Sequence, residues 1–119
     1  MPAGPLAPLA GPSAQLEVDL EHSFRSGTLR VYVDDDLALE EPLESYVSED
    51  LVVLKLRKGR ERATIKVRPG EREVRVQVSG DGWSGTRRIT GSFDSGQTRR
   101  LYIRMGGLLN KELRASWGG

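Results

Sequence analysis

The chain has no cysteine and a single histidine, His22. Without thiols it can form neither structural disulfides nor thiolate-bound metal centres. Relay catalysis of the Ser-His-Asp kind needs an imidazole held between a nucleophile and a carboxylate. His22 adjoins Ser23 just past a predicted strand, and neighbours on an extended chain point to opposite sides. The pair therefore reads as exposed loop, not as a dyad, and no pair of carboxylates is singled out for glycosidase-like chemistry. Long apolar runs are missing too: none approaches the roughly 18 residues that a membrane helix needs. The run Ser79-Gly80-Asp81-Gly82-Trp83-Ser84-Gly85 is not followed by a helix whose N-terminus would receive a phosphate, which leaves its glycines as turn formers. No catalytic residue and no cofactor is implied, and the chain is not expected to be an enzyme.

What is present points to strands. A length of 119 residues suits one domain around one core. Glycine is abundant, at 14 residues, while the apolar fraction is a modest 37%, a balance that favours short strands and tight turns over packed helices. Residues 1–14 hold four of the six prolines and no charged side chain. Proline lacks the amide donor and fixes φ, so this segment is expected to be a flexible interdomain linker, with the domain proper at 15–119. A secretory signal would set a basic stretch before an unbroken apolar one, and neither is found there.

From Gln15 onward the dominant period is two, the mark of strands with one face in the core and one in water. Leu16, Val18 and Leu20 alternate with Glu17, Asp19 and Glu21. Leu29, Val31 and Val33 form a second strand that ends at Asp34-Asp35-Asp36. A short strand near Leu37 to Leu39 and then a loop are expected next, because Pro42 interrupts a ladder. Val52, Leu54 and Leu56 share a face before a turn at Lys58-Gly59-Arg60, and Ile65 and Val67 precede one at Pro69-Gly70. Val74, Val76 and Val78 give the strongest alternation and are expected in a central strand. Turns at Asp81-Gly82 and Ser95-Gly96 bracket a polar, edge-like strand at 85–90. Leu101, Ile103 and Met105 alternate next, up to Gly106-Gly107, and Leu113, Ala115 and Trp117 alternate last; a short helix at Leu108 to Arg114 is the weaker alternative to a closing hairpin. The expected fold is an all-β, antiparallel sandwich of about seven to nine strands, Ig-like or PEGA-like, since connections this short exclude parallel crossovers.

Charge is divided along the chain. Residues 15–50 hold 11 acids and 2 bases, a net of −9, whereas residues 51–119 hold 16 bases and 6 acids, a net of +10. The simpler consequence is ion pairing between strands of the two halves. The functional alternative is a basic face built from Arg75, Arg87, Arg88, Arg99, Arg100 and Arg104, with Tyr102 and Trp83 near it in sequence, able to meet a glycan or another anionic polymer. Trp83 and Trp117 read first as plugs for the ends of a sandwich. Asp34, Asp35 and Asp36 read as a solvated turn. As Ca²⁺ ligands, the alternative, they lack the alternate spacing and the glycine of an EF-hand loop.

The run Ser26-Gly27-Thr28-Leu29-Arg30-Val31-Tyr32-Val33-Asp34 resembles the opening of PEGA domains, and Glu41-Pro42-Leu43 is similar to their Thr-Pro-Leu segment. The stretch from Ile65 through Pro69-Gly70 to Val76 resembles the family's central hairpin. Gly82-Trp83 falls where the family has Gly-Tyr, and Phe93 to Gln97 followed by Leu101-Tyr102-Ile103 resembles its closing hairpin. The resemblance covers roughly residues 25–105; Arg25-Ser26 stands where the family has Pro-Glu, and residues 44–62 look like an insertion. It implies a non-catalytic, usually extracytoplasmic bacterial module attached to kinases, envelope proteins or lipoproteins, and it implies no ligand; the partner expected of the chain is another protein or another domain of the same chain.

Overall fold

The structure, a computed structural model, describes residues 12–44, 46–50, 55–106 and 112–118. Alternating apolar and polar residues organise these into nine strands: β1 (Ala14–His22), β2 (Ser26–Val33), β3 (Asp36–Glu44), β4 (Tyr46–Asp50), β5 (Lys55–Val67), β6 (Gly70–Gly80), β7 (Trp83–Phe93), β8 (Thr98–Gly106) and β9 (Glu112–Trp117). They form a β-sandwich of a five-stranded sheet, ordered β4-β5-β1-β8-β9, and a four-stranded sheet, ordered β3-β2-β6-β7. No described residue is helical.

The core is the seam between the sheets. Leu16, Val18 and Leu20 of β1 and Leu101 of β8 point inward from one side, while Leu29, Val31, Val74, Val76 and Val78 point inward from the other, all of them fully buried. Withdrawing each such side chain from water contributes about 1.5–3 kcal/mol. Aromatic pairs close the two ends of β7. Phe24 meets Trp83, with ring centroids 6.0 Å apart, and Phe93 meets the edge of Trp117 at 5.8 Å.

Two hairpins turn on paired residues of positive φ, as two-residue turns between right-twisted strands require. Asp34 and Asp35 have φ of 50° and 70°, and Asp81 and Gly82 have 51° and 77°. The three aspartates thus divide between a turn and the first residue of β3. Val74, Val76 and Val78 lie in β6, an interior strand of its sheet, as their alternation requires.

Several elements differ from expectation, each for a local reason. β1 and β8 pair in parallel, from Gln15 opposite Thr98 to Glu21 opposite Arg104, while the other six pairings among the described residues are antiparallel. Short connections constrain only strands that are consecutive in sequence, and these two are separated by the whole second sheet. Lys58-Gly59-Arg60 is no turn but the interior of β5, where Gly59 lies opposite His22. Pro42 lies within β3, opposite Thr28. β3 is an edge strand, paired on one side only, where a residue without an amide hydrogen is tolerated. The loop expected up to residue 50 contains β4 instead. Ala14 already belongs to β1 and is buried, one residue before the expected domain start. Residues 1–11 of the expected linker, Val52 and Leu54 of the expected strand, Gly107 of the expected turn and Leu108 to Lys111 of the alternative helix lie outside the described residues; Glu112 to Arg114 of that helix are strand.

Candidate interaction surface

The division of charge along the sequence becomes a division between strands. Glu17, Asp19 and Glu21 occupy the outward positions of β1, which runs between β5 and β8. The register sets Asp19 between Arg62 and Tyr102, and Glu21 between Arg60 and Arg104. β9 continues these rows, with Ser116 opposite Tyr102 and Arg114 opposite Arg104. An acidic strand flanked by basic ones is the arrangement in which cross-strand neighbours attract. Arg100 Nε reaches Glu17 at 2.8 Å and Arg104 Nε reaches Glu21 at 3.4 Å.

Asp19 is the centre of this face. Arg60 donates to it through Nε to Oδ1 at 2.9 Å and through Nη2 to Oδ2 at 2.7 Å, a two-pronged geometry. Arg62 Nε stands 3.4 Å from Oδ2. Although it is on the outer face, Asp19 is buried. The Arg60 hydrogen bond lowers its pKa, against the opposing effect of burial, and the charges of Arg60 and Arg62 lower it further.

The eight residues singled out from the sequence do not share one surface. Arg100, Tyr102 and Arg104 stand on the outer face of the five-stranded sheet, as alternate residues of β8. Arg99 points the other way. Its guanidinium lies 4.3 Å from the centre of the Trp117 ring and donates to the Ser92 carbonyl at 3.1 Å, so it seals the joint between the sheets. Arg87 seals it further along by donating to the Leu113 carbonyl at 2.6 Å. Arg88 is on the outer face of the other sheet, 3.4 Å from Glu73, next to Arg75, whose guanidinium covers the Tyr32 ring at 4.1 Å. Trp83 packs on Phe24 at one end of the sandwich, and Trp117 plugs the other through its ring contacts and an indole hydrogen bond to the Thr90 carbonyl at 3.0 Å. Arg99, Arg100 and Tyr102, with Gln97, Thr98 and Gly118, border a hollow of about 420 Å³.

Asp34 is engaged within the fold: its carboxylate accepts from the Glu73 amide at 3.0 Å and from Arg72 at 3.1 Å. Among the described residues, no three His, Asp or Glu converge on a point where a metal ion could sit. His22, expected in an exposed loop, is instead buried as the last inward residue of β1. Its Nδ1 accepts from the Phe24 amide at 3.2 Å. Burial lowers its pKa, offset in part by the charge of Asp81. Continuing the alternation of Leu16, Val18 and Leu20 by one step would have placed it inside.

Arg60, Arg62 and Arg114 were missed as members of the β8 face. The readable signal for the first two was their alternation with Glu61 and Ala63 ahead of Ile65 and Val67, which the apparent turn at Gly59 concealed. No helix among the described residues is long and apolar enough to cross a membrane. No protein-family model matches the chain, and no curated protein matches it.

Proposed function

We propose that this chain is a non-catalytic β-sandwich module that mediates contacts with other proteins, or spaces other domains, within a larger bacterial protein of the cell envelope. The observation that carries this reading is the use made of the reactive side chains. The imidazole of His22 is buried with its Nδ1 accepting a backbone hydrogen bond, and Asp19 is clamped by two arginines. These groups serve the fold, and the outer face of the five-stranded sheet presents arginine and tyrosine, residue types enriched where proteins touch. The resemblance to PEGA domains supports the same reading.

The test is a panel of ester, phosphoester, glycoside and peptide substrates. The chain is expected to give no turnover above background. Turnover that disappears in Asp19→Asn or His22→Gln would overturn the proposal.

A further inference from the structure

The outer face of the five-stranded sheet is layered by charge. Two of its acids lie low: the side chains of Asp19 and Glu17 are 1% and 24% exposed. Its bases stand above them, with Arg60 49%, Arg62 56%, Arg104 70% and Arg114 73% exposed. An approaching partner therefore meets the guanidinium groups of Arg62, Arg104 and Arg114 first, with Glu21 and Glu112 at 50% and 52% exposure below them. Arg62 and Arg104 each turn Nε toward the acid beneath; Arg100 does so too, but its Nη1 donates to the Tyr102 hydroxyl at 3.2 Å. Engagement through that edge leaves the fork of terminal nitrogens directed away from the acid, and this fork is what binds a planar oxyanion in two-pronged fashion. Among the described residues, Tyr102 is the exposed large hydrophobic side chain, and it stands amid these arginines. Tyrosine and arginine are the residue types that most often dominate the energetics of protein contacts.

We propose that this face, around Tyr102, Arg104 and Arg114, docks an extended acidic protein segment with carboxylates at alternate positions. The inference rests on the reading of the chain as a contact module and names its surface and partner. Alternate residues along a strand are about 6.6 Å apart, so Arg60 and Arg62 of β5 repeat at the spacing at which an extended segment repeats its own side chains, while Arg100 and Arg104 of β8 stand two such steps apart with Tyr102 between them. Half-exposed Glu21 and Glu112 share the face. A uniformly charged polymer would bring phosphate or sulfate groups against them, whereas a peptide with spaced carboxylates avoids them.

The experiment measures fluorescence anisotropy of a labelled peptide of alternating Glu and Val, titrated with the full chain at low and moderate salt. A Lys-Val peptide and single-stranded DNA of equal charge serve as comparisons. The Glu-Val peptide is expected to bind and to weaken as salt rises. Arg104→Glu with Arg114→Glu is expected to lower its affinity about tenfold or more, while Arg75→Glu with Arg88→Glu on the opposite sheet leaves it within about twofold. Thermal unfolding confirms that each variant is folded, and Arg104→Gln with Arg114→Gln gives a milder version of the same loss. Absence of peptide binding, equal loss from both double variants, or tighter binding of the DNA would overturn the proposal. Turnover in the substrate panel would instead overturn the contact-module reading beneath it.

Discussion

Gly59 lies opposite His22 across the β5–β1 ladder, and a Cβ added there would fall 2.6 Å from the imidazole Cε1 and Nε2 and 2.6 Å from the Glu44 carbonyl oxygen. The position needs glycine because backbone and ring approach too closely for any side chain. A shift of the imidazole alone gives no relief, since one obstacle is main chain. Gly59→Ala is expected to destabilise the fold by about 1–3 kcal/mol, measured by urea denaturation. A change smaller than the error of that measurement would contradict this account of the site.

His22 makes stability depend on pH. Burial holds its folded-state pKa below the ordinary value near 6.5, so as pH falls the unfolded chain takes up the proton first. The contribution is fully present above pH 6.5 and is lost as pH falls through that value toward the folded one. Denaturation midpoints are expected to decline in this window for the natural chain and to stay level for His22→Gln. Parallel curves for the two proteins would exclude His22 as the source.

Asp19 acts lower on the scale. Its pKa lies below the ordinary 3.8, first because of the hydrogen bond from Arg60. The stability it contributes is present above 3.8 and is lost as pH falls toward the folded value. Asp19→Ala is expected to cost about 1–2 kcal/mol at neutral pH and to flatten the acid limb of the stability profile. Identical acid limbs would show that the clamp contributes nothing.

Glu61 has the opposite sign. It occupies an inward position of β5, opposite Leu20. Burial raises its pKa above 4.5, and the charge of Glu41 on β3 raises it further. The unfolded chain therefore releases this proton first, so stability is lost as pH rises from 4.5 through the folded value. Glu61→Gln is expected to raise the thermal midpoint at neutral pH and to leave it nearly unchanged at pH 4. Destabilisation at neutral pH would mean that the charged carboxylate has a favourable partner.

The alternation of single residues was enough to place β1, β6 and β8 and to set Arg100, Tyr102 and Arg104 on one face. The same rule separates Arg99 from them, because it differs from Arg100 by one position. Gly59 was misleading because glycine serves both turns and close approaches, and only the ring of His22, 37 positions away, distinguishes the two uses. Pro42 was misleading because its cost depends on whether a strand is at an edge, which local sequence does not encode. The parallel pairing of β1 with β8 is likewise a property of the closed sandwich. The basic face followed suit: its β8 members were readable, whereas Arg60 and Arg62 join it only through the β5–β1 register.

Backbone amide exchange, followed by NMR with and without the Glu-Val peptide, tests the assigned contact face most directly. Protection is expected to rise at Tyr102, Arg104, Arg114 and Ser116 and to stay unchanged at Arg75 and Arg88. Protection that instead gathers on β6 and β7, or shows no change at β8 and β9, would contradict the account.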